Sequence, residues 1–209
     1  MIPRSDVCLA GSRTILRTFT RSDCDRMAAW GRHTDPLLAQ YNVPERTPAE
    51  WDEWFRARVL PEDVYAFVID DKQGRMVGWL VLSEVRPDEG RATLGIDLSP
   101  ERLYQGLGSD AIHTILREFL GPWGFRTMWL EVSAPNRAAR RCYEKCGFTV
   151  VGRKWRGDAP LTYAEIFGDE RFEDIRRYFR ILNGTIEVMY YDMKVTVNAW
   201  RAHCERRDF

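Results

Sequence analysis

A polar triplet in the second half of the chain constrains the fold more than any other feature of the sequence. Glu131, Asn136 and Tyr143 are spaced five and seven residues apart, in a segment that alternates up to Val132 and then takes helical spacing. Gly147 follows, where a glycine commonly ends a helix. The pattern predicts a strand, a short turn and a helix that together carry a carboxylate, an amide and a phenol.

A glycine-rich turn lies upstream, between a strand predicted over residues 92–98 and a helix predicted over residues 108–120. Gly106 and Gly108 have no side chains, so the backbone can approach a bulky anion and direct several N–H groups toward it. The partial positive charge of the helix N-terminus favours the same kind of ligand. A diphosphate suits this turn, although a Gly-x-Gly alone is as often a plain tight turn.

Periodicity and turn residues place the remaining elements. Ser22 is the predicted N-cap of a first helix, and the Thr47–Glu50 capping box begins a second. A third helix is predicted over residues 170–182, where Asn183-Gly184 would end it. Further segments alternate as half-buried strands do, at residues 14–19, 65–69, 76–83, 148–153 and 186–195. This order indicates an α/β fold whose central sheet is mixed, antiparallel and parallel, and flanked by helices.

The turn and the triplet together resemble the GNAT acyl-CoA N-acyltransferase superfamily. The resemblance is carried by Gln105-Gly106-Leu107-Gly108-Ser109, then by Leu130-Glu131-Val132, Asn136 and Tyr143-Glu144-Lys145-Cys146-Gly147-Phe148. It implies a GNAT fold with an extra C-terminal helical insertion. Residues 1–209 would be a single domain, with a core at about 9–153, a final strand at about 186–195 and the insertion at about 155–185. The triplet is most similar to the ribosomal-protein N-terminal acetyltransferase branch.

The resemblance implies acetyl-CoA as the co-substrate, no metal, and direct transfer to an amine. Glu131 would accept the proton of the amine through water, and Tyr143 would protonate the departing thiolate. The coenzyme A contacts that it implies are Leu98, Ser99, Leu103, Gln105, Gly106, Leu107, Gly108, Ser109, Asn136, Ala139 and Tyr143. The backbone N–H at Leu98 would hold the thioester carbonyl oxygen.

Each of these residues also has a plainer interpretation. Glu131 would be a solvent-facing strand residue, Tyr143 a packed core aromatic and Asn136 a helix N-cap. Asp97 and Glu84 are reserve bases that lie outside the matching frame. The sequence departs from the family pattern at two positions: Leu103 stands where Gln or Arg is usual, and Tyr104 replaces a common glycine. The backbone of the turn is unaffected by these departures.

Composition limits the partners that we expect. Lys and Arg number 31, as do Asp and Glu, so no net basic charge favours nucleic acid. The sequence has no apolar run of membrane-spanning length, which predicts a cytoplasmic protein. Its five cysteines are scattered, so we expect no disulfide framework, and Cys142 and Cys146 are interpreted as buried thiols. A homodimer is possible by resemblance.

The acceptor is the least defined part of the prediction. By resemblance, residues 30–55 and 155–191 would form its site. Their aromatic residues could face a cation and their acids could hold an ammonium group: Trp30, Tyr41, Trp51, Trp54, Trp155, Tyr163 and Phe167, with Asp158, Glu165, Asp169 and Glu170. We expect a primary amine on a peptide N-terminus or a small molecule. The alternatives are an aminoglycoside-type antibiotic acetyltransferase and a non-catalytic acyl-CoA-binding regulatory module. The apolar stripe of residues 170–182 would form a packed extra helix, a lid or a dimer contact.

Overall fold

The strands form one mixed sheet that has helices on both faces. The computed structural model describes residues 2–3, 7–157 and 164–206, without the side chains of residues 164 and 165. The strands are β1 (Cys8–Ala10), β2 (Thr14–Thr18), β3 (Tyr65–Asp71), β4 (Met76–Arg86), β5 (Arg91–Leu98), β6 (Thr127–Ser133), β7 (Thr149–Arg156), β8 (Phe179–Leu182) and β9 (Thr185–Thr196). The α-helices are α1 (Arg21–Ala28), α2 (Pro48–Arg58), α3 (Leu107–Leu120), α4 (Arg137–Lys145), α5 (Ala164–Gly168) and α6 (Val197–Glu205). Short 3₁₀ helices span Pro36–Tyr41, Pro100–Arg102 and Glu170–Tyr178.

The sheet opens between β5 and β6. Its strand order is β1-β2-β3-β4-β5-β6-β9-β7, and β8 pairs with β9. Neighbours are antiparallel except β5 and β6, which are parallel and, over the described residues, pair only through Arg91–Thr93 and Thr127–Trp129. Both strands continue past that contact, to Leu98 and Ser133, so their facing edges diverge. Backbone groups on these edges need partners other than a neighbouring strand.

Helix α3 covers one face of the sheet, and α1 and α2 cover the other. Ile112, Ile115 and Phe119 of α3 are fully buried against Phe67 and Ile69 of β3. Burial of each such side chain stabilises the fold by about 1.5–3 kcal/mol. The alternate residues of β3 face a second cluster beneath α1 and α2, which comprises Phe19, Cys24, Met27, Trp51, Ala66 and Val68. Strand β3 is therefore buried on both sides, and its two faces serve different helices.

The predicted α/β fold, with a mixed sheet flanked by helices, is confirmed. Helix α4 begins after Asn136, whose side-chain oxygen accepts a hydrogen bond from the Ala139 N–H at 3.1 Å. Gly147 follows that helix with a φ of 91°. Thr47 and Glu50 form the capping box predicted for α2. These ends are set by local side chains, so short windows of sequence were enough to place them.

Two predictions at helix ends are wrong. The N-cap of α1 is Thr20 rather than Ser22, because Thr20 makes a capping box with Asp23. The helix predicted over residues 170–182 is a 3₁₀ helix up to Tyr178, followed by β8. Asn183 and Gly184, with φ of 51° and 77°, form the hairpin turn between β8 and β9. The insertion, predicted to be helical, is therefore part helix and part strand.

Several other predictions stay predictions: the division into core and insertion, the homodimer and the cytoplasmic location. Within the described ranges, no helix is both long and apolar enough to cross a bilayer. The same ranges hold no group of three or more His, Cys, Asp or Glu side chains placed to bind a metal ion.

Candidate active site

A cavity of about 620 Å³ lies where β5 and β6 diverge. Its walls come from the end of β5, the end of β6, the first turn of α3, one side of α4 and the 3₁₀ helix Pro36–Tyr41. The predicted site residues that line it are Leu98, Leu103, Gln105, Gly106, Leu107, Gly108, Ser109, Glu131, Asn136, Ala139 and Tyr143. Ser99 does not line it; this residue is buried, and its hydroxyl donates a hydrogen bond to the Glu101 carboxylate.

The glycine-rich turn has the geometry of an anion cradle. Gly106 is the N-cap of α3 with a φ of 77°, and it has no side chain to accept a bond from the first-turn N–H groups. A Cβ at Gly108 would stand 3.3 Å from Leu98 Cδ1 and 3.9 Å from Cys142 Sγ, so this contact is tight. Tyr104 also has a positive φ, of 61°. Its side chain is 80% exposed. The open N–H groups and close backbone approach fit the diphosphate of coenzyme A.

Tyr143 projects from α4 into the cavity wall. Its side chain is buried beside Phe148, with ring centroids 6.0 Å apart in an edge-to-face arrangement. Burial raises the pKa of Tyr143 well above its usual value. The phenol therefore keeps its proton at neutral pH and is available as a donor. The plainer interpretation also holds, because the same ring packs in the core.

Asn136 has the N-cap role that the sequence allowed, and it also lines the cavity. Its side-chain oxygen caps α4, as described above, and its amide donates a hydrogen bond to the hydroxyl of Tyr41. Burial raises the pKa of Tyr41 to about 12, so this hydroxyl is also protonated at neutral pH. The bond joins the 3₁₀ helix Pro36–Tyr41 to the N-terminus of α4 across the cavity.

Glu131 lies on β6, and its carboxylate belongs to an ion-pair network. Lys154 contacts one of its oxygens, and Arg156 Nη1 lies 2.8 Å from the other. Lys154 Nζ also lies 2.9 Å from the carboxylate of Asp192. Asp192 is the residue of β9 that lies opposite Glu131 in the antiparallel pairing of β6 with β9. The hydrogen bond from Lys154 to Glu131 raises the pKa of that lysine. Both oxygens of the predicted base are thus already partnered by cations.

Asp97 is a second carboxylate on the cavity wall, near the end of β5. Trp79 Nε1 donates a hydrogen bond to one of its oxygens at 3.1 Å. Burial raises the pKa of Asp97 to about 6, in spite of this bond. A carboxylate with such a pKa is half-ionised near pH 6 and suits proton transfer near neutrality. Sequence reasoning ranked Asp97 as a reserve, because its place on the diverging edge is a tertiary feature.

The other end of the cavity is bounded by the 3₁₀ helix Pro36–Tyr41. Leu38 and Tyr41 line the cavity, whereas Leu37 packs on a small cluster in the insertion. The buried members of that cluster are Ile166, Ile175, Phe179 and Val188. Arg137 of α4 forms an ion pair with Asp174, at 2.6 Å. The insertion therefore touches both elements that frame this end of the cavity.

Few of the aromatic residues predicted for the acceptor face the cavity. Tyr41 lines it, and Trp79 and His33 line it without having been predicted. The others pack elsewhere: Trp30, Trp51 and Trp54 in the cluster between the sheet and helices α1 and α2, Phe167 in the insertion cluster, and Trp155 against the Arg180 guanidinium. Asp169 caps a 3₁₀ helix and Glu170 is exposed. Asp158, Tyr163 and the side chain of Glu165 lie outside the described residues.

Comparison with known proteins identifies the family of the chain. A family model described as an acetyltransferase (GNAT) domain matches residues 13–149. The chain is 22% identical over 168 residues to spermidine N(1)-acetyltransferase of Vibrio cholerae, a match that covers 80% of this chain and 92% of that protein. It is 31% identical over 116 residues to [ribosomal protein bS18]-alanine N-acetyltransferase of Escherichia coli K12, covering 55% and 76%.

A solved structure has the same fold. The crystal structure of spermidine N-acetyltransferase from Vibrio cholerae in complex with CoA and spermine superposes with a TM-score of 0.67, at 18% identity. The superposition covers 91% of this chain and 99% of that one. At this identity the likeness concerns the fold alone, and the acceptor has to be argued from the residues of this chain.

Proposed function

Because the chain belongs to the GNAT acetyltransferase family and is an acetyl-CoA-dependent N-acetyltransferase, we propose that it acetylates a primary amine on a peptide N-terminus or a small molecule. One observation carries this proposal: a single cavity has an anion cradle at one end, with a phenol and two carboxylates along its walls. Direct transfer requires these groups to act around one reacting carbon. The two kinds of relative, one named for spermidine and one for a ribosomal protein, both act on amines.

The cradle and the diverging strands supply binding for the co-substrate. The first-turn N–H groups of α3, together with the helix dipole, would hold the diphosphate. Leu98 ends the free edge of β5, where we propose that its backbone N–H holds the thioester carbonyl oxygen. Ala139 and Asn136 would line the path between these two points.

Tyr143 is the proposed acid. Its raised pKa keeps the phenol protonated at neutral pH, so it would donate this proton to the thiolate as the carbon–sulfur bond breaks. The proton that the attacking amine gives up would then restore the phenol. The plain core role would require only the ring, whereas this role requires the hydroxyl.

Two carboxylates compete for the role of base. The resemblance implies Glu131, which would act through water. Geometry favours Asp97, because Glu131 already has a cation at each oxygen, whereas Asp97 has one neutral partner and a pKa of about 6. An ammonium group near Asp97 would also lie in the part of the cavity that Trp79 and Tyr41 line.

The test is thiol release from acetyl-CoA in the presence of amines of different classes, with calorimetric binding of coenzyme A measured in parallel. The panel contains short peptides with varied N-termini, polyamines, aminoglycosides and simple alkylamines. Turnover confined to peptides, polyamines or alkylamines supports the proposal and names the acceptor class, whereas turnover on aminoglycosides alone would support the antibiotic-modifying alternative. Binding without turnover on any class would favour the regulatory module.

A further inference from the structure

The turn between β1 and β2 sits on the first turn of α3. The Asp110 carboxylate accepts the backbone N–H groups of Ser12 and Arg13 at 3.0 Å each, and that of Thr14 at 2.8 Å. The hydroxyl of Thr14 donates to the same carboxylate at 2.7 Å. These bonds lower the pKa of Asp110, against the effect of its burial. The carboxylate stays ionised and fixes the turn to the helix that begins at the cradle.

The turn has little freedom to move. A Cβ at Gly11 would lie 2.4 Å from Asp110 Oδ2 and 2.4 Å from Thr114 Oγ1, so the turn is pressed directly against α3. Lys72 Nζ also donates a hydrogen bond to the Gly11 carbonyl, at 2.7 Å. The backbone position of Arg13 is therefore determined by contacts on both sides of it.

Arg13 directs its guanidinium to the cradle. Its Nη1 donates a hydrogen bond to the Gln105 carbonyl at 3.0 Å and would lie 3.3 Å from a Cβ placed at Gly106. A guanidinium has five N–H donors, and this bond uses one of them. The side chain is exposed, so the other donors are accessible from solvent.

The charge at this position needs an explanation. A cation at a helix N-terminus opposes the helix dipole, whereas an anion there is stabilised. Asp110 offsets part of the unfavourable interaction, but its carboxylate is already occupied by the turn. An anionic ligand between the guanidinium and the first-turn N–H groups would satisfy both. Two cations of α4, Arg141 and Lys145, line the cavity itself, whereas Arg13 reaches the cradle from outside that lining.

We propose that Arg13 binds the diphosphate of coenzyme A at the cradle. The inference rests on the proposed function, since it places the co-substrate in the cradle. It also accounts for Leu103, which is apolar where a phosphate-binding side chain is usual. A residue 92 positions upstream of Gln105 supplies the charge in its place.

The experiment measures dissociation constants by calorimetry for coenzyme A, dephospho-coenzyme A and pantetheine. The variants are R13A, R13K and R117A. Arg117 is the matched control, because it is also exposed and donates to a carbonyl of the same hairpin, that of Ala10 at 3.2 Å, but farther along α3. Unfolding temperatures of the free proteins, measured alongside, show whether each variant is folded.

We expect R13A to weaken coenzyme A and dephospho-coenzyme A equally, by about tenfold, which is the size of one charge-assisted hydrogen bond. R13K should recover part of the lost affinity, because lysine keeps the positive charge but lacks the planar guanidinium that can donate two parallel hydrogen bonds. R117A should bind as the wild type does, and pantetheine should not distinguish the variants. Rising salt should narrow the gap between R13A and the wild type.

Three results would overturn the inference. R13A could bind both nucleotides as tightly as the wild type, lose affinity only for the form with the 3′-phosphate, or lose no more than R117A does. If the wild-type protein itself does not bind coenzyme A, the proposed function fails instead, so the two failures are distinguishable.

Discussion

The two ends of the cavity are built in different ways. The end at which we propose that the co-substrate binds, called here the co-substrate end, consists of contiguous segments, the turn at residues 103–109 and the helix at 137–145, and it rests on the large core beneath α3. The other end, which we propose takes the amine and call the acceptor end, joins residues 36–41 to an insertion whose buried core is a cluster of four residues. Motifs of contiguous residues therefore predict the structure of the first end and give little information about the second. We expect substitutions at the two ends to have separable effects on kinetics.

The largest effect should come from Tyr143→Phe, at the point where the two ends meet. Removal of the hydroxyl leaves the ring and its contact with Phe148, so folding should be unchanged. We expect kcat to fall by about 10²–10⁴-fold, which is the usual contribution of a general acid. Coenzyme A affinity should stay near that of the wild type. Steady-state kinetics with calorimetry test this, and a kcat within twofold of the wild type would leave Tyr143 as a core residue only.

The second largest effect concerns the general base, which the pH dependence of kcat/KM should identify. Asp97 accepts a proton only when it is ionised, so kcat/KM should rise with pH through about 6. The amine adds its own rise at higher pH, since a free alkylamine has a pKa of about 10. Asp97→Asn should abolish the rise of kcat/KM near pH 6 and lower the rate by about 10²-fold. Glu131→Gln is the matched comparison. If it abolishes this rise while Asp97→Asn keeps it, the base is Glu131.

A smaller effect, confined to the co-substrate end, is expected from Gly106→Ala. The φ of 77° costs a residue with a Cβ about 1–2 kcal/mol, and the methyl group would approach the Arg13 guanidinium at 3.3 Å. We expect coenzyme A to bind about tenfold more weakly, because the cradle has to shift. Gly74→Ala is the control, since Gly74 has a φ of 74° in an open turn with nothing within 4 Å of the added Cβ. Equal weakening in both variants would show that the loss is general.

The sequence predicted the turn at residues 103–109 and the helices beside it for a physical reason. Helix caps, glycine turns and alternation are decided by interactions within a few residues, and such interactions set the N-cap of α4 and the turn at Gly106. Arg13 was not predicted and Asp97 was ranked only as a reserve base, because their places in the site depend on contacts that are distant along the chain. The Gln105 carbonyl that fixes Arg13 is 92 residues away from it. Local spacing contains no trace of such a pair.

The dependence on contacts distant along the chain also explains why the helix predicted over residues 170–182 of the insertion is wrong. Asn183-Gly184 satisfies the local requirements of a helix end and of a two-residue hairpin turn, since both use residues with positive φ. The pairing of Phe179–Leu182 with Thr185–Val188 selects the hairpin. That choice depends on β9 being held by β6 and β7, which residues 170–184 do not reveal by themselves.

The smallest predicted effect lies at the acceptor end. It tests whether that end acts independently of the co-substrate end. Asp174→Asn removes the charge that pairs with Arg137, and an exposed pair of this kind stabilises by about 0.2–1 kcal/mol. Unfolding temperature should therefore change little. Because the pair joins the insertion to α4, we expect KM for the amine to rise by about twofold to fivefold, within the same energy range, while coenzyme A affinity stays constant.

A control for this last variant uses another exposed ion pair that lies away from the cavity. Asp63→Asn removes the partner of Arg86, at 3.3 Å, with similar exposure on both sides. It should leave both KM values unchanged. If Asp174→Asn behaved like Asp63→Asn, the insertion would be a packed addition to the fold rather than a wall of the acceptor site. If instead Asp174→Asn also weakened coenzyme A, the two ends of the cavity would be coupled through α4, and the separation on which the other predictions rest would fail.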